Sequence, residues 1–308
     1  MTTLHIPRVR NIRPLLGVSA VLDIEREAII FGVPVGSPID RTVADVARRG
    51  VLSSVYPSSR TTPNALAARL YRLINDDVVL AAQGLPSSET ERGVKFDVTL
   101  LPSSVGASSA HPRELPKTIG HYHLPVPGYE LPTPDFYQVA HGTGSLLLQH
   151  VIGSSVRAYR VDVAAGDTVL IPPHLGHIAI NTGSEPLVFA NVCVRRPHLD
   201  YRHFEALRGG SYYFVSGPGG SVDTIANPAY LDAGLTVLPL RRAFSHLRGL
   251  AKLGVSAESP IYAYIIRRSP IIRALCEPDE YRAVFLAALS LGSQMDREDD
   301  ASDGPFNR

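Results

Sequence analysis

Tryptophan is absent from this 308-residue chain, and cysteine and methionine occur twice each. Two cysteines, Cys193 and Cys276, are too few and too far apart for a disulfide framework or a Cys-rich zinc site, so a reducing, cytoplasmic setting is expected. An excess of charge of one sign is also lacking. Lys and Arg number 30 against 29 Asp and Glu, leaving +1, which gives no electrostatic grip on nucleic acid or on an anionic membrane surface. No apolar run approaches the ~20 residues that span a bilayer, because Arg, Gly or Asp interrupts each candidate. Arg8, Arg10 and Arg13 do precede the apolar stretch from Pro14 to Val18, but it is short and lacks a cleavage site. A soluble, intracellular protein with neither a nucleic-acid nor a membrane partner is therefore expected.

What the chain does have is a change of texture along its length. In residues 1–92, Asp40 is placed to cap a helix over Arg41–Arg49, with Gly50 to end it. Thr62-Pro63 then offers a cap and a first-turn proline to a second helix, whose Leu66, Leu70, Leu73 and Ile74 share one face. From Val94 onward short β-prone runs are separated by Gly, Pro and Ser. They are Val94–Leu101, Phe136–Val139, Ser145–Ile152, Val156–Val163, Thr168–Ile171, Ile178–Asn181 and Leu187–Val194, the spacing of an all-β domain. After about residue 230 helix signals return, most clearly in Pro278–Leu291, with acids Asp279 and Glu280 in its first turn and Gly292 as a stop. The polar stretch from Met295 is expected to be disordered. The reading is a mixed, partly helical extension over 1–92, a β-domain over 93–230 and a helical extension over 231–308. No internal repeat is found, which argues for a single barrel.

Nine of the eleven histidines lie between His111 and His203. Their spacing carries the chemistry. In His121-Tyr122-His123 two imidazoles fall on the same face of a strand, because side chains alternate with period two. Asp135 follows, then Gly142-Thr143-Gly144 after six intervening residues. A second segment runs from Gly166 through Pro172-Pro173 to His177, with Asn181 four residues beyond. The two segments resemble the paired motifs of cupins, where the first supplies His, His and an acid and the second one more His. The resemblance implies an all-β core folded as a double-stranded β-helix, with one divalent ion held by His121, His123, Asp135 and His177. Three imidazoles and a carboxylate suit Fe, Mn, Ni or Zn alike. Glu130 is a rival for the carboxylate position, since family members usually carry Glu there, but Asp135 keeps the distance to Gly142 and the strand pairing with Tyr137.

Further stretches narrow the family. Lys95–Pro102, Pro116–His123, Asp135-Phe136-Tyr137, Leu147-Leu148-Gln149, Asn181–Pro186 and Asn227-Pro228 together resemble the cupin-type glucose-6-phosphate isomerase family of archaea and some bacteria. That resemblance implies aldose–ketose isomerisation of a sugar phosphate by a homodimeric enzyme. It implies that Thr118, Gly120 and, after a one-residue slip of register, Thr99 contact the phosphate, and that Asp135 and Tyr137 line the metal pocket. The family carries a tyrosine and a histidine late in the barrel, where the simplest register places Cys193 and Leu199. A one-residue shift lets His198 stand in, with Asp200 and Tyr201 matching the family's Asp-Tyr pair, so His198 and Tyr201 join the catalytic candidates. His174 replaces an aromatic beside the metal loop and reads either as an acid/base near the ion or as a surface residue. Two other functions stay open on sequence: a divergent cupin enzyme such as a dioxygenase or lyase, and a non-enzymatic binding module presenting Arg-rich residues 241–273.

Overall fold

Apolar runs bounded by Gly, Pro and Ser become strands. The computed structural model describes residues 8–51, 66–72, 93–103, 114–243 and 250–286, apart from 196, 257 and 268. It opens on an antiparallel meander of β1 (Val9–Asn11), β2 (Ala20–Asp23) and β3 (Ala28–Phe31). Helix α1 (Arg13–Leu16) links β1 to β2 and stops at Gly17, whose φ of 82° lies where a side chain would be strained. Next come β4 (Ile39–Thr42), α2 (Val43–Arg48) and β5 (Leu66–Arg72). The cap of α2 is Thr42 rather than the expected Asp40. Thr42 Oγ1 accepts from the Asp45 N–H at 3.2 Å and Asp45 accepts from the Thr42 N–H at 2.8 Å, a capping box. Asp40 sits in β4 and pairs with Arg69 at 2.6 Å.

The helix expected from Thr62-Pro63 through Ile74 is corrected where the chain is described, since Leu66–Arg72 is a strand. Leu66 and Leu70 satisfy a helical period, but β5 is hydrogen-bonded to β4 on one side and to β6 on the other. Two-sided pairing outweighs the helix propensity of Ala, Leu and Arg. Thr62, Pro63, Leu73 and Ile74 lie outside the described residues.

The barrel strands are β6 (Val94–Leu101), β7 (Tyr122–Leu124), β8 (Asp135–His141), β9 (Thr143–Ile152), β10 (Ser155–Ala164), β11 (Thr168–Ile171), β12 (Gly176–Ile180) and β13 (Leu187–Val194). Of these, β6, β11 and β13 begin and end on the residues expected. Two sheets face each other, one ordered β11-β8-β13-β6-β5-β4 and the other built on β12-β9-β10. This is the double-stranded β-helix of the cupin fold. After it come β14 (His198–Asp200), which pairs with β7, α3 (Arg202–Ala206), β15 (Tyr212–Ser216), β16 (Val222–Ala226) and α4 (Pro228–Asp232). Then β17 (Thr236–Val237) and β18 (Arg241–Ala243) run parallel to β10. The sheets thus take strands from both sides of the 93–230 stretch. Helices α5 (Ile261–Ile266) and α6 (Pro270–Cys276) close the described chain with a 3-10 turn at Pro278–Tyr281, and residues 282–286 are helical. The remainder of the helix expected over Pro278–Leu291 and the tail from Met295 lie outside the described residues.

Alternation along the strands sorts two cores. Tyr137, Val139, Leu148, Ile171 and Phe189 pack inside the barrel. Phe96, Val98, Phe136 and Val188 point outward into a second cluster. There they meet Leu16 and Leu22 from the N-terminal segment and Ile261, Tyr264, Ile265 and Leu275 from the C-terminal one. Both terminal segments therefore cover the outer face of the larger sheet. No helix among the described residues is long and apolar enough to cross a membrane.

Candidate metal centre

Three strand segments converge at one end of the barrel. His121 lies just before β7 and exchanges backbone hydrogen bonds with His177 of β12, at 3.4 and 3.1 Å. His123 sits two residues on, and its ring lies nearly parallel to that of His121 with centroids 5.3 Å apart. Asp135 opens β8. His121, His123, Asp135 and His177 each offer one ligand atom, and those four atoms lie within 4.8 Å of one another. Asp135 Oδ2 is 3.8 Å from His123 Nε2 and 3.9 Å from His177 Nε2.

The outer nitrogens of the rings are anchored to the backbone. His123 Nδ1 lies 2.8 Å from the Thr133 carbonyl, and Nδ1 of His121 and of His177 lie 3.4 Å from the carbonyls of Ile119 and Leu175. A carbonyl only accepts, so each Nδ1 carries the proton and each Nε2 presents its lone pair. Such outer hydrogen bonds orient metal-binding imidazoles. His177 Nε2 is buried with no hydrogen-bond partner, an orphaned acceptor of the kind a cation satisfies. Burial, then the neighbouring imidazoles, pushes His121 well below the ordinary histidine range. Burial lowers His123 to about 3 and His177 to about 4. Neutral imidazole is the form that binds metal. Desolvation drives the Asp135 carboxyl the other way, up to about 7, opposed by the charge of Lys95 and a hydrogen bond from Asn191. The donor set and its protonation fit one divalent cation.

These shifts predict how metal affinity follows pH. Below pH 7 the cation must displace one proton from Asp135, so the affinity for Zn(II) should fall about tenfold per pH unit between pH 7 and 4. Below about 4 protonation of His177 adds to the loss and the slope steepens. Calorimetric titration across pH 5 to 8 reads the first slope, and a flat profile would contradict Asp135 as a ligand.

The other residues singled out in the sequence fall in different places. Glu130 turns to solvent with 83% of its side chain exposed and pairs with Arg282 at 2.7 Å, so Asp135 is the carboxylate that joins the imidazoles. Tyr137 points into the barrel with its ring 6.0 Å from that of His177. The Tyr201 ring packs against that of His121 with centroids 5.4 Å apart and planes tilted by 47°, and the Arg49 guanidinium lies 4.8 Å above the tyrosine ring. Thr99 is buried on the inward face of β6. The Thr118 hydroxyl accepts from the Ala179 N–H at 3.0 Å. His198 is not brought to the cluster; it is exposed opposite Leu124, while Leu199 is the residue opposite His123. His174 is exposed in a left-handed turn with φ 70°, its ring 6.3 Å from His150. Cys193 is fully buried with its thiol pushed far up by desolvation, which leaves it an inert neighbour of the site.

Gly120 has a packing reason to be glycine. A Cβ there would meet Phe204 Cδ1 at 2.6 Å and Ile178 Cγ1 at 2.7 Å, and Phe204 is completely buried. Gly120→Ala should cost about 1–3 kcal/mol by overpacking and disturb His121 next to it. Thermal melting of the metal-free protein checks this, with an unchanged midpoint as the contrary result.

Two residues at the site were not singled out by sequence reasoning. Asn191 donates to both Asp135 oxygens, at 3.3 and 3.4 Å. Lys95, inward on β6, acts on Asp135 by its charge. The signal for Asn191 is an amide in an otherwise apolar strand, and for Lys95 it is the polar alternation of β6.

A family model described as glucose-6-phosphate isomerase matches residues 61–230, more than half of the chain. The chain belongs to the glucose-6-phosphate isomerase family. Among its relatives, the glucose-6-phosphate isomerase of Thermococcus gammatolerans is 30% identical over 159 residues, which cover 51% of this chain and 76% of that protein. Those of Pyrococcus abyssi and Pyrococcus furiosus are 30% and 28% identical over 156 residues, 50% of this chain and 74% of each relative. Similar solved structures include oxalate oxidase with the substrate analogue glycolate, at TM-score 0.29 and 16% identity, covering 37% of this chain and 49% of that one. Oxalate decarboxylase from Bacillus subtilis follows at TM-score 0.26 and 17% identity, covering 41% and 25%.

Proposed function

We propose that this family member is a metal-dependent aldose–ketose isomerase acting on a sugar phosphate, with glucose 6-phosphate and fructose 6-phosphate as the pair to test first. The observation that carries the proposal is the convergence of three neutral imidazoles and Asp135 inside the barrel of a chain that belongs to this family. His121, His123, Asp135 and His177 would hold the ion, one of Fe, Mn, Ni or Zn. A bound divalent cation supplies Lewis acidity toward the substrate's carbonyl and hydroxyl oxygens.

The chain's own groups do the rest. Asn191 and the backbone N–H of Phe136, 3.0 Å from Asp135 Oδ1, fix the carboxylate. Tyr137, whose hydroxyl burial keeps protonated, donates to Asp135 and so helps to hold the carboxylate in place. Tyr201 packs its ring against the His121 side of the site. Thr99, Thr118 and the backbone at Gly120 are assigned to the phosphate, where the Thr118 hydroxyl, already accepting from Ala179, still has its proton to donate. A homodimer in the cytoplasm belongs to the same reading. Its interface would avoid the outer face of the larger sheet, which the terminal segments cover.

The test is a coupled assay of glucose 6-phosphate and fructose 6-phosphate interconversion, on protein stripped with a chelator and reloaded with each metal in turn. Activity restored by at least one metal is expected. No interconversion of any sugar phosphate with any of the four, or metal-dependent oxygen consumption in its place, would overturn the proposal.

A further inference from the structure

Cations are uncommon inside a barrel, and β6 carries one there. Alternation sends Phe96, Val98 and Leu100 outward into the apolar cluster, and so turns Lys95, Asp97 and Thr99 inward. Only 14% of the Lys95 side chain is exposed, and its Nζ lies 2.7 Å from Asp97 Oδ2. Asp97 already has a bidentate partner in Arg72, whose Nε and Nη2 reach its two oxygens at 2.9 and 3.3 Å. One carboxylate thus faces two cations.

The register of the sheet fixes where Lys95 stands. Lys95 is opposite Cys193 on β13. Val192 is opposite Phe136 on β8, which sets Cys193 beside Asp135. Lys95 is therefore on the same row as Asp135, one side chain removed from it. Its positive charge acts on Asp135, His121 and His123. Thr99 stands four residues further along β6, about 13 Å away and on a different level of the barrel.

We propose that Lys95 is a catalytic residue, whose ammonium contacts the oxygen at the C1–C2 end of the sugar phosphate and receives the negative charge that develops there. The proposal rests on the isomerase reading above. Desolvated, pre-placed cations are effective at such positions because no solvent has to reorganise as charge builds. The Asp97–Arg72 pair is the positioning element that holds Lys95 on its row.

Two ligands separate the ends of the substrate. 6-Phosphogluconate carries a carboxylate at C1, and glucitol 6-phosphate carries a neutral hydroxyl there with the same phosphate. Both are titrated calorimetrically into metal-loaded wild type, Lys95→Met and Lys95→Arg, with metal content and melting temperature recorded for each. Lys95→Met should bind 6-phosphogluconate about 10–100-fold more weakly, the size of a lost charge-assisted hydrogen bond. Its affinity for glucitol 6-phosphate should change less than about threefold, and Lys95→Arg should restore most of the loss. Should Lys95→Met not fold, Lys95→Gln, which keeps a polar partner for Asp97, is read by the same criteria. Equal losses for both ligands would place Lys95 at the phosphate and overturn the proposal, as would no loss for either. Failure of the wild type to bind either ligand would bring down the isomerase reading and this proposal with it.

Discussion

His177→Ala should abolish both metal content and isomerase activity, while His174→Ala keeps both. His177 is 3% exposed and its Nε2 is an orphaned acceptor aimed at the cluster, whereas His174 is exposed and faces His150. Changing groups that merely orient metal ligands costs 10–100-fold in affinity, so loss of a ligand should exceed about 100-fold. A metal Lewis acid is worth several kcal/mol of transition-state stabilisation, on the order of a thousandfold in rate. The variant should therefore fall to the level of chelated wild type. Metal analysis after gel filtration, paired with the coupled assay, reads both quantities. Equal metal loss in the two variants would overturn the ligand assignment.

Deleting residues 250–308 should leave a chain that does not fold. The outer face of the larger sheet buries Phe96 and Phe136 against α5 and α6, with Tyr264 edge-on to Phe136 at 5.6 Å and Tyr262 edge-on to Phe96 at 5.2 Å. Removing that cover would expose a contiguous apolar surface beyond what soluble monomers tolerate. A single change samples the same contact: Ile265→Ala, at a fully buried position, should cost about 2–5 kcal/mol. That is a large part of a typical total stability of about 5–15 kcal/mol. Circular dichroism melts check both. A truncated chain that melts cooperatively and retains metal would show that the C-terminal segment is dispensable.

The convergence of His121, His123, Asp135 and His177 was legible from one local pattern and one family resemblance. Alternation puts His121 and His123 on one strand face, and the resemblance of the two glycine-bounded segments to the paired cupin motifs implies Asp135 and His177. The ends of β6, β11 and β13 were legible because Gly93, Pro102, Pro172 and Pro186 bound them, with Asp167 and Arg195 as the polar residues at the other two ends. Leu66–Arg72 was not, since its leucines fit a helix and only the presence of β4 and β6 on its two sides makes it a strand. The α2 cap slipped from Asp40 to Thr42 for a related reason: Asp40 is held in β4 by pairing opposite Arg69. Lys95, Asn191 and the packing of Tyr201 against His121 depend on which strands become neighbours. Sequence alternation says that such residues point inward, but not toward what. The docking of both terminal segments onto one sheet face is likewise a long-range outcome that local periodicity does not encode.

The central claim is that three imidazoles and one short carboxylate grip a single ion. Crystals of the metal-loaded protein, with diffraction recorded at the absorption edge of the added metal, test it most directly. One anomalous peak is predicted, at about 2.0–2.2 Å from Nε2 of His121, His123 and His177 and from a carboxylate oxygen of Asp135. A peak on Glu130, or no peak among these four side chains in a fully loaded sample, would contradict it.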